Sequence, residues 1–279
     1  MIDCGEGTQM QLRRLRVRMG RLDHILISHL HGDHVFGLFG LLSSLGLTGR
    51  EHPLHVYGPP ELESVVLRHL EMFDIHLPYE VIHHPLDCTK GGAVYEDKVL
   101  TVRHFPLRHR IPACGYLFRE KERRRRFRPG IFERYEIPVA QRRAIQEGAP
   151  LRLPDGSEVP NEEITMPGPP PRSYAFCSDT AYDRAVAGHV RGVDLLYHEA
   201  TFAASEEARA RETGHATARQ AALIAREAGV GKLIIGHFSA RYKDLTPLLE
   251  EARTIFPETY LAADGARFEI PLRKEANGQ

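Results

Sequence analysis

Read by the spacing of its apolar side chains, the chain alternates short β-like runs with helical stretches. Residues 22–28 carry the apolar, β-branched run Ile25-Leu26-Ile27 and predict a strand, and the apolar, glycine-containing stretch 35–47 predicts a buried helix after it. A short strand over 54–57, closed by Gly58-Pro59-Pro60, leads into a helix over 61–73 with Pro60 at its start. Alternating segments at 79–83, 93–95, 99–105 and 114–119, separated by turn residues, predict further strands. After a long break the rhythm resumes, with strands at 173–177, 194–197, 232–235, 259–262 and 267–270 and helices at 205–212, 217–228 and 244–256. Near the N-terminus, Met10, Leu12, Leu15 and Met19 fall at near-helical spacing among arginines, predicting an amphipathic surface helix over 8–21. This order is that of a layered α/β fold.

The break, residues 120–171, has a different texture. It holds four consecutive arginines at 123–126, the turn Pro154-Asp155-Gly156 and the run Pro167-Gly168-Pro169-Pro170-Pro171. Its apolar residues are too sparse to predict a core strand order, so it reads as a protruding, solvated arm. The arginine run makes it the candidate nucleic-acid contact.

Composition narrows the class. At 279 residues and 42% hydrophobic, the chain can bury the core of one large domain. Lys plus Arg equals Asp plus Glu at 37 each, so no global basic excess advertises a polyanionic partner, and a local patch must carry any such contact. Cys4, Cys88, Cys114 and Cys177 are widely spaced without a C-x-x-C pair, which argues against a zinc ribbon or a disulfide framework and fits a reducing cytoplasmic location. No stretch approaches the roughly 20 apolar residues of a membrane span. The opening M-I-D-C-G-E-G-T-Q looks like the tail of a strand with no preceding element to pair with it.

The chemistry concentrates in Ser28 to Gly37, S-H-L-H-G-D-H-V-F-G, where His29, His31, Asp33 and His34 follow the 22–28 strand. Gly32 and Gly37 are expected to supply the tight bends of a chelating loop. Other predicted strands also end on donors: His109, Asp179, His198 with Glu199, and His237. In layered α/β folds the carboxyl ends of strands share one edge, where ligands bind, so these distant residues can converge. His29, His31, Asp33, His34, His109, Asp179 and His237 are too many for one catalytic ion with three protein ligands and a water. Two ions sharing a bridging carboxylate fit, and imidazole with carboxylate suits zinc, with manganese or iron compatible with the same donors.

The H-L-H-G-D-H block resembles the signature of the metallo-β-lactamase superfamily. With D-C-G-E-G-T-Q, P-L-R-H-R-I-P-A-C-G-Y, C-S-D-T, H-E-A-T-F and G-H-F-S-A-R-Y, in order from Asp3 to Tyr242, it resembles the ribonuclease Z family of tRNA 3′-end-processing endonucleases. The resemblance implies an αββα sandwich, N-terminally truncated by a few strands, forming one catalytic domain over 1–279 with 120–171 inserted as a tRNA-gripping arm. It implies His29, His31 and His109 on one zinc, Asp33, His34 and His237 on a second, and Asp179 bridging. Asp33 would also take the proton of the attacking water, His215 would assist the leaving 3′-oxygen with Glu199 orienting it, and Ser239 with Arg241 would hold substrate phosphate. The family's H-S-T is His215-Ala216-Thr217 here. Precursor tRNA and a second copy of the chain are the implied partners. Two rival readings are a hydrolase of a small phosphodiester, sulfate or lactone, which has no need of the arm, and a metal-bound RNA-binding protein or inactive fragment.

Overall fold

The computed structural model describes residues 1–272. Helix α1 (Thr8–Arg14) precedes strand β1 (His24–Leu26), α2 (Gly32–Leu47), β2 (Leu54–Gly58), α3 (Glu61–Met72) and β3 (Val81–Pro85). Strands β1-β2-β3 form a parallel three-stranded sheet, and Ile2 extends its β1 edge through a bridge to Leu26. Then come β4 (Gly92–Glu96), β5 (Leu100–Leu107) and β6 (Ala113–Glu120), an antiparallel meander.

The period-two alternation of strands sorts the core into three interfaces. Ile25, Ile27, Leu54 and Val56 face α2 and α3, packing on Leu38, Leu41, Leu42, Leu45 and Leu62. Leu26 and Tyr57, on the opposite face, meet Val102, Cys114 and Tyr116 from the second sheet. That sheet is seven-stranded, and its far face, with Phe105, Ala175, Leu196 and Leu233, packs on helices that follow in sequence. Helix, sheet, sheet, helix is the expected αββα sandwich.

Helix α2 approaches the N-terminal segment backbone to backbone. A β-carbon at Gly37 would overlap the Gly5 carbonyl, and one at Gly5 the Asp33 carbonyl. The close seam lets Gly37 N donate to Cys4 O at 2.9 Å and Cys4 N to His34 O at 2.8 Å. Gly37 is therefore a packing residue inside a helix and not the loop bend expected from sequence. Gly32 is likewise the first residue of α2, so Asp33 and His34 belong to a helix.

Residues 120–171 fold on themselves through β7 (Arg126–Phe127), α4 (Ile131–Arg134), α5 (Val139–Gln146), β8 (Leu151–Arg152), β9 (Glu158–Val159), α6 (Asn161–Ile164) and β10 (Thr165–Met166). Contrary to the sequence expectation, the arm has its own core of Ile131, Ile137, Ile145, Leu151, Val159 and Ile164. Single apolar residues scattered through polar text escape periodicity because each short element contributes only one or two. Buried Asn161 ties the layer together, its Nδ2 donating to the Ile145 and Ala149 carbonyls, both at 2.6 Å. At the neck, Arg172 N donates to Glu120 Oε2 at 3.1 Å and its guanidinium to Glu120 Oε1; with Arg123 adding to it, this pairing pulls the Glu120 carboxyl down to about 2.

The second sheet continues with β11 (Ser173–Cys177), α7 (Ala185–His189), β12 (Leu195–Glu199), α8 (Glu207–Thr213), α9 (Ala218–Ala228), β13 (Lys232–Gly236), α10 (Thr246–Arg253) and β14 (Thr259–Leu261). Its order is β14-β13-β12-β11-β6-β5-β4, the first four strands parallel. Thr217 caps α9 in a capping box with Gln220. Three sequence expectations fail. Residues 267–270 form no strand. The predicted 8–21 helix is only α1 followed by a 3-10 turn, and its Met10 and Leu15 are exposed, so only Leu12 and Met19 pack on the core. Cys88 and Cys114 are joined as a disulfide, because the turn after β3 and the start of β6 converge between the sheets, a proximity invisible at a sequence separation of 26. Among the described residues no helix is long and apolar enough to cross a membrane.

Because Ile145 is fully buried in the arm's small core, Ile145→Ala should destabilise the arm by about 2–5 kcal/mol. Limited proteolysis should then cut within 120–171 while the sandwich stays protected; unchanged protection of the arm would contradict a core of its own.

Candidate metal centre

One edge of the sandwich collects the donors. His29 and His31 lie in the turn after β1, Asp33 and His34 in the first turn of α2, His109 in the β5–β6 turn, Asp179 just past β11, and His237 just past β13. Parallel pairing of β11, β12 and β13 brings Asp179, Glu199 and His237 to the same end. The structure gathers all seven donors read from the sequence: His29, His31, His109 and Asp179 in one group, and Asp33, His34 and His237 in another.

Within the first group, His29 Nε2 stands 3.0 Å from His31 Nδ1, which stands 3.1 Å from His109 Nε2. Asp179 Oδ2 lies 3.7 Å from His29 Nε2 and 3.9 Å from His109 Nε2. In the second, Asp179 Oδ1 faces His34 Nε2 at 3.4 Å and His237 Nε2 at 3.3 Å, and Asp33 Oδ2 lies 3.5 and 3.4 Å from the same nitrogens. Asp179 thus offers one oxygen to each group.

The opposite ring nitrogens fix which atom faces inward. His109 Nδ1 donates to Gly214 O at 2.7 Å, and His34 Nδ1 to Asp3 Oδ2 at 2.8 Å. Thr201 Oγ1 gives its proton to Glu199 Oε2 at 2.8 Å and so accepts from His237 Nδ1 at 3.0 Å. Ser28 Oγ gives its proton to Asp3 Oδ2 at 2.9 Å and accepts from His29 Nδ1 at 3.0 Å. Such partners set the tautomer and orientation of ligating imidazoles. With those protons outward, His29 Nε2 and His109 Nε2 bring bare lone pairs to within about 3 Å of His31 Nδ1. Among the described residues the buried His34 Nε2 and Asp179 Oδ1, 3.4 Å apart, have no partner at hydrogen-bond geometry. In the His29, His31 and His109 group, lone pairs crowded on one point repel unless a cation occupies it, and the carboxylates of Asp33 and Asp179 draw positive charge to the other group, so the donor set fits metal ions.

Charge follows the same division. Burial, then neighbouring His34, pushes His29 down to about 3; burial also lowers His31 and His109, which favours the neutral, ligating form of all three. Burial opposes charge on His34 too, but Asp179 and the Asp3 hydrogen bond outweigh it and lift it to about 10. His237 is raised in the same way, against burial, by Asp33 and Asp179. The His237 contact comes first in drawing the Asp33 carboxyl down to about 2, against the cost of its burial. Asp179 is held below the usual carboxylate range, burial being overcome by His34, His237 and His29.

Beside the ligands, His215 Nδ1 donates to Glu199 Oε1 at 2.9 Å. The fully buried Glu199 also accepts from Thr180 N, Ala216 N, Thr201 N and Thr201 Oγ1. Arg241 and Ser239 are together, but the Arg241 guanidinium is occupied: it pairs with Glu206 at 3.0 Å, lies over the Phe202 ring and contacts Ser239 Oγ at 3.2 Å. The residues that sequence reasoning missed are the supports: Asp3, Ser28, Thr201 and the Gly214 carbonyl. Asp3 stood in the D-C-G-E-G-T-Q block, yet nothing local ties it to a histidine 31 positions away. Asp3 and His237 both adopt left-handed backbone, φ 52° and 59°, a strain of about 1–3 kcal/mol each that their side-chain partners hold in place.

A layered αββα sandwich carrying two His/Asp ligand sets on its strand-end edge defines the metallo-β-lactamase class of hydrolases. Residues 1–133 match the family model described as a β-lactamase superfamily domain. The chain is 50% identical to the ribonuclease Z of Parabacteroides distasonis over 97% of its length and 89% of that protein, and 51% identical to that of Bacteroides fragilis over 95% and 87%. It superposes on the short form of human tRNase Z with a TM-score of 0.68 and 26% identity, covering 97% of this chain and 87% of that one. The metallo-β-lactamase fold protein YhfI of Bacillus subtilis, at TM-score 0.62 and 20% identity over 95% and 84%, shares the fold. The chain belongs to the ribonuclease Z family.

Asp3 orients His34 directly and His29 through Ser28. Asp3→Ala should therefore weaken metal binding about 10- to 100-fold in titrations of the metal-stripped protein, and an unchanged isotherm would remove Asp3 from this role. Raised groups stay protonated below their shifted values, so protons compete more for His34 and His237 than for His29, His31 and His109. From about pH 8 down to about pH 6, metal affinity at the Asp33, His34 and His237 set should fall more steeply than at the His29, His31 and His109 set; parallel slopes would contradict it.

Proposed function

We propose that this chain is a metal-dependent endoribonuclease that removes the 3′ trailer from precursor tRNA, leaving a 3′-hydroxyl on the tRNA. The observation that carries the reading is Asp179 turning one oxygen to His29 and His109 and the other to His34 and His237, in a chain half identical along nearly its whole length to proteins named ribonuclease Z. In this reading two ions bind each chain, zinc being the metal proposed: His29, His31 and His109 hold one, Asp33, His34 and His237 the other, and Asp179 both. Bound there, such ions make a water acidic and stabilise charge gathering on a phosphoryl group.

The residues then divide the reaction between them. Water attacks phosphorus, the bond from phosphorus to the 3′-oxygen breaks, and the leaving oxygen takes up a proton. Asp33 enters ionised, with its side chain two-thirds exposed at the mouth of the site, and accepts the proton of the attacking water. His215 gives a proton to the 3′-oxygen; Glu199 holds its Nδ1–H, leaving Nε2 for the reaction. Ser239 and Arg241 form the proposed contact to substrate phosphate, which requires Arg241 to exchange Glu206 for the substrate. The catalytic unit spans 1–279, with the 120–171 arm gripping tRNA, and two copies assemble as a dimer.

Cleavage of a 3′-extended tRNA is the test. Asp33→Ala and His215→Ala should each slow it by about 10²–10⁴-fold with circular dichroism unchanged, and near-normal rates in either variant would overturn the assignment. Chelation should abolish cleavage, and reconstitution with zinc, manganese or iron identifies the metal. Turnover of small phosphodiesters without tRNA cleavage would favour the small-ester reading, and RNA binding without any turnover the non-enzymatic one.

A further inference from the structure

A cavity of about 330 Å³ opens beside the metal centre, and its wall includes His109 and His215. That volume is at the lower end of the range that holds small ligands. Arg108 and Arg110, either side of His109, line it together with Arg211, Tyr182 and Gln220. Glu207 and Glu212 also border it, Glu207 lying 3.9 Å from Arg211. Neither Arg108 nor Arg110 pairs with a carboxylate among the described residues. Gly214 places Arg110 against the site: a β-carbon there would lie 3.0 Å from His109 Nδ1 and 3.4 Å from Arg110 Cγ.

The cavity has a direction. In an in-line displacement the entering water and the leaving oxygen sit on opposite sides of phosphorus. His215 lines the cavity, whereas Asp33, His34 and His237 do not. The cavity therefore lies on the side of the leaving 3′-oxygen, where the RNA chain 5′ of the scissile bond must run.

Resting on the reaction proposed above, we infer that this cavity seats the last nucleotide the tRNA keeps. Arg110 positions the phosphate on its 5′ side, and Tyr182 offers a stacking face to its base. Unpaired guanidinium and an aromatic ring are the groups that hold single-stranded RNA without demanding one sequence. Both are positioning residues: they act on where the 3′-oxygen lies and not on its bond.

Product inhibition separates this seat from the trailer side. Two inhibitors are compared during cleavage of a 3′-extended tRNA: an acceptor-stem minihelix ending in a 3′-hydroxyl, and a trailer oligonucleotide with a 5′-phosphate. Arg110→Ala should raise the minihelix Ki and the KM of the substrate by about tenfold, the order of one charge-assisted hydrogen bond. The trailer Ki should change less than about twofold, and kcat much less than KM. The salt dependence of the minihelix Ki should become shallower by about 0.7–0.9 in log–log slope, one phosphate contact. Arg110→Lys should restore part of the loss, and Tyr182→Phe should keep the minihelix affinity that Tyr182→Ala loses. Equal effects on both Ki values, a larger effect on the trailer, or no effect on either would overturn the inference. If the unaltered protein fails to cleave tRNA, the reaction itself falls, an outcome distinct from these.

Discussion

Asp179 turns one carboxylate oxygen toward His29 and His109 and the other toward His34 and His237, while the partners of those rings hold their protons on the far side. The result is a cluster of imidazole and carboxylate donors at the edge of a packed sandwich, crowded lone pairs around His31 and negative charge around His34 and His237, both of which a cation relieves. Everything around it serves to keep that arrangement from relaxing. Asp3, Ser28, Thr201, Glu199 and the Gly214 carbonyl each take a ring proton or hold the group that does. Left-handed backbone at Asp3 and His237 is tolerated because these contacts over-determine it.

The sandwich supplies the frame. Three parallel strands, β11, β12 and β13, deliver Asp179, Glu199 and His237 at one height, and the first sheet delivers His29 across the inter-sheet core of Leu26, Tyr57 and Tyr116. Tyr116 locks the two sheets directly, its hydroxyl donating to the Ile27 carbonyl at 2.7 Å. Asp33 and His34 depend on a different device, the glycine seam at Gly5 and Gly37 that lets α2 lie against the N-terminal segment. A side chain at either glycine would push the start of α2, and with it two donors, away from the cluster.

The arm is built on other terms. Its core is a handful of isoleucines with Leu151 and Val159, closed by Asn161, and joined to the sandwich through Glu120 and Arg172. That construction separates its folding from the chemistry. Among the described residues none of the metal-centre donors belongs to the arm.

The sequence alone determined much of this. Strand patterns with donors at their ends, and H-x-H-x-D-H itself, already specified a metal-binding edge on a layered α/β fold, because strand periodicity and ligand chemistry are local properties. Glu199 was legible as a strand-end donor, but His215 and the role of Glu199 beside it came only with the family resemblance, since nothing near them in the chain marks a histidine held by a carboxylate. Tertiary structure alone decided the supports and exceptions: Asp3 on His34, Thr201 between Glu199 and His237, Arg241 held by Glu206, Cys88 joined to Cys114, and the arm's core. Each of these is a contact between positions whose neighbours along the chain say nothing of each other. Packing fixes them, and packing is settled only when both sheets and α2 are in place.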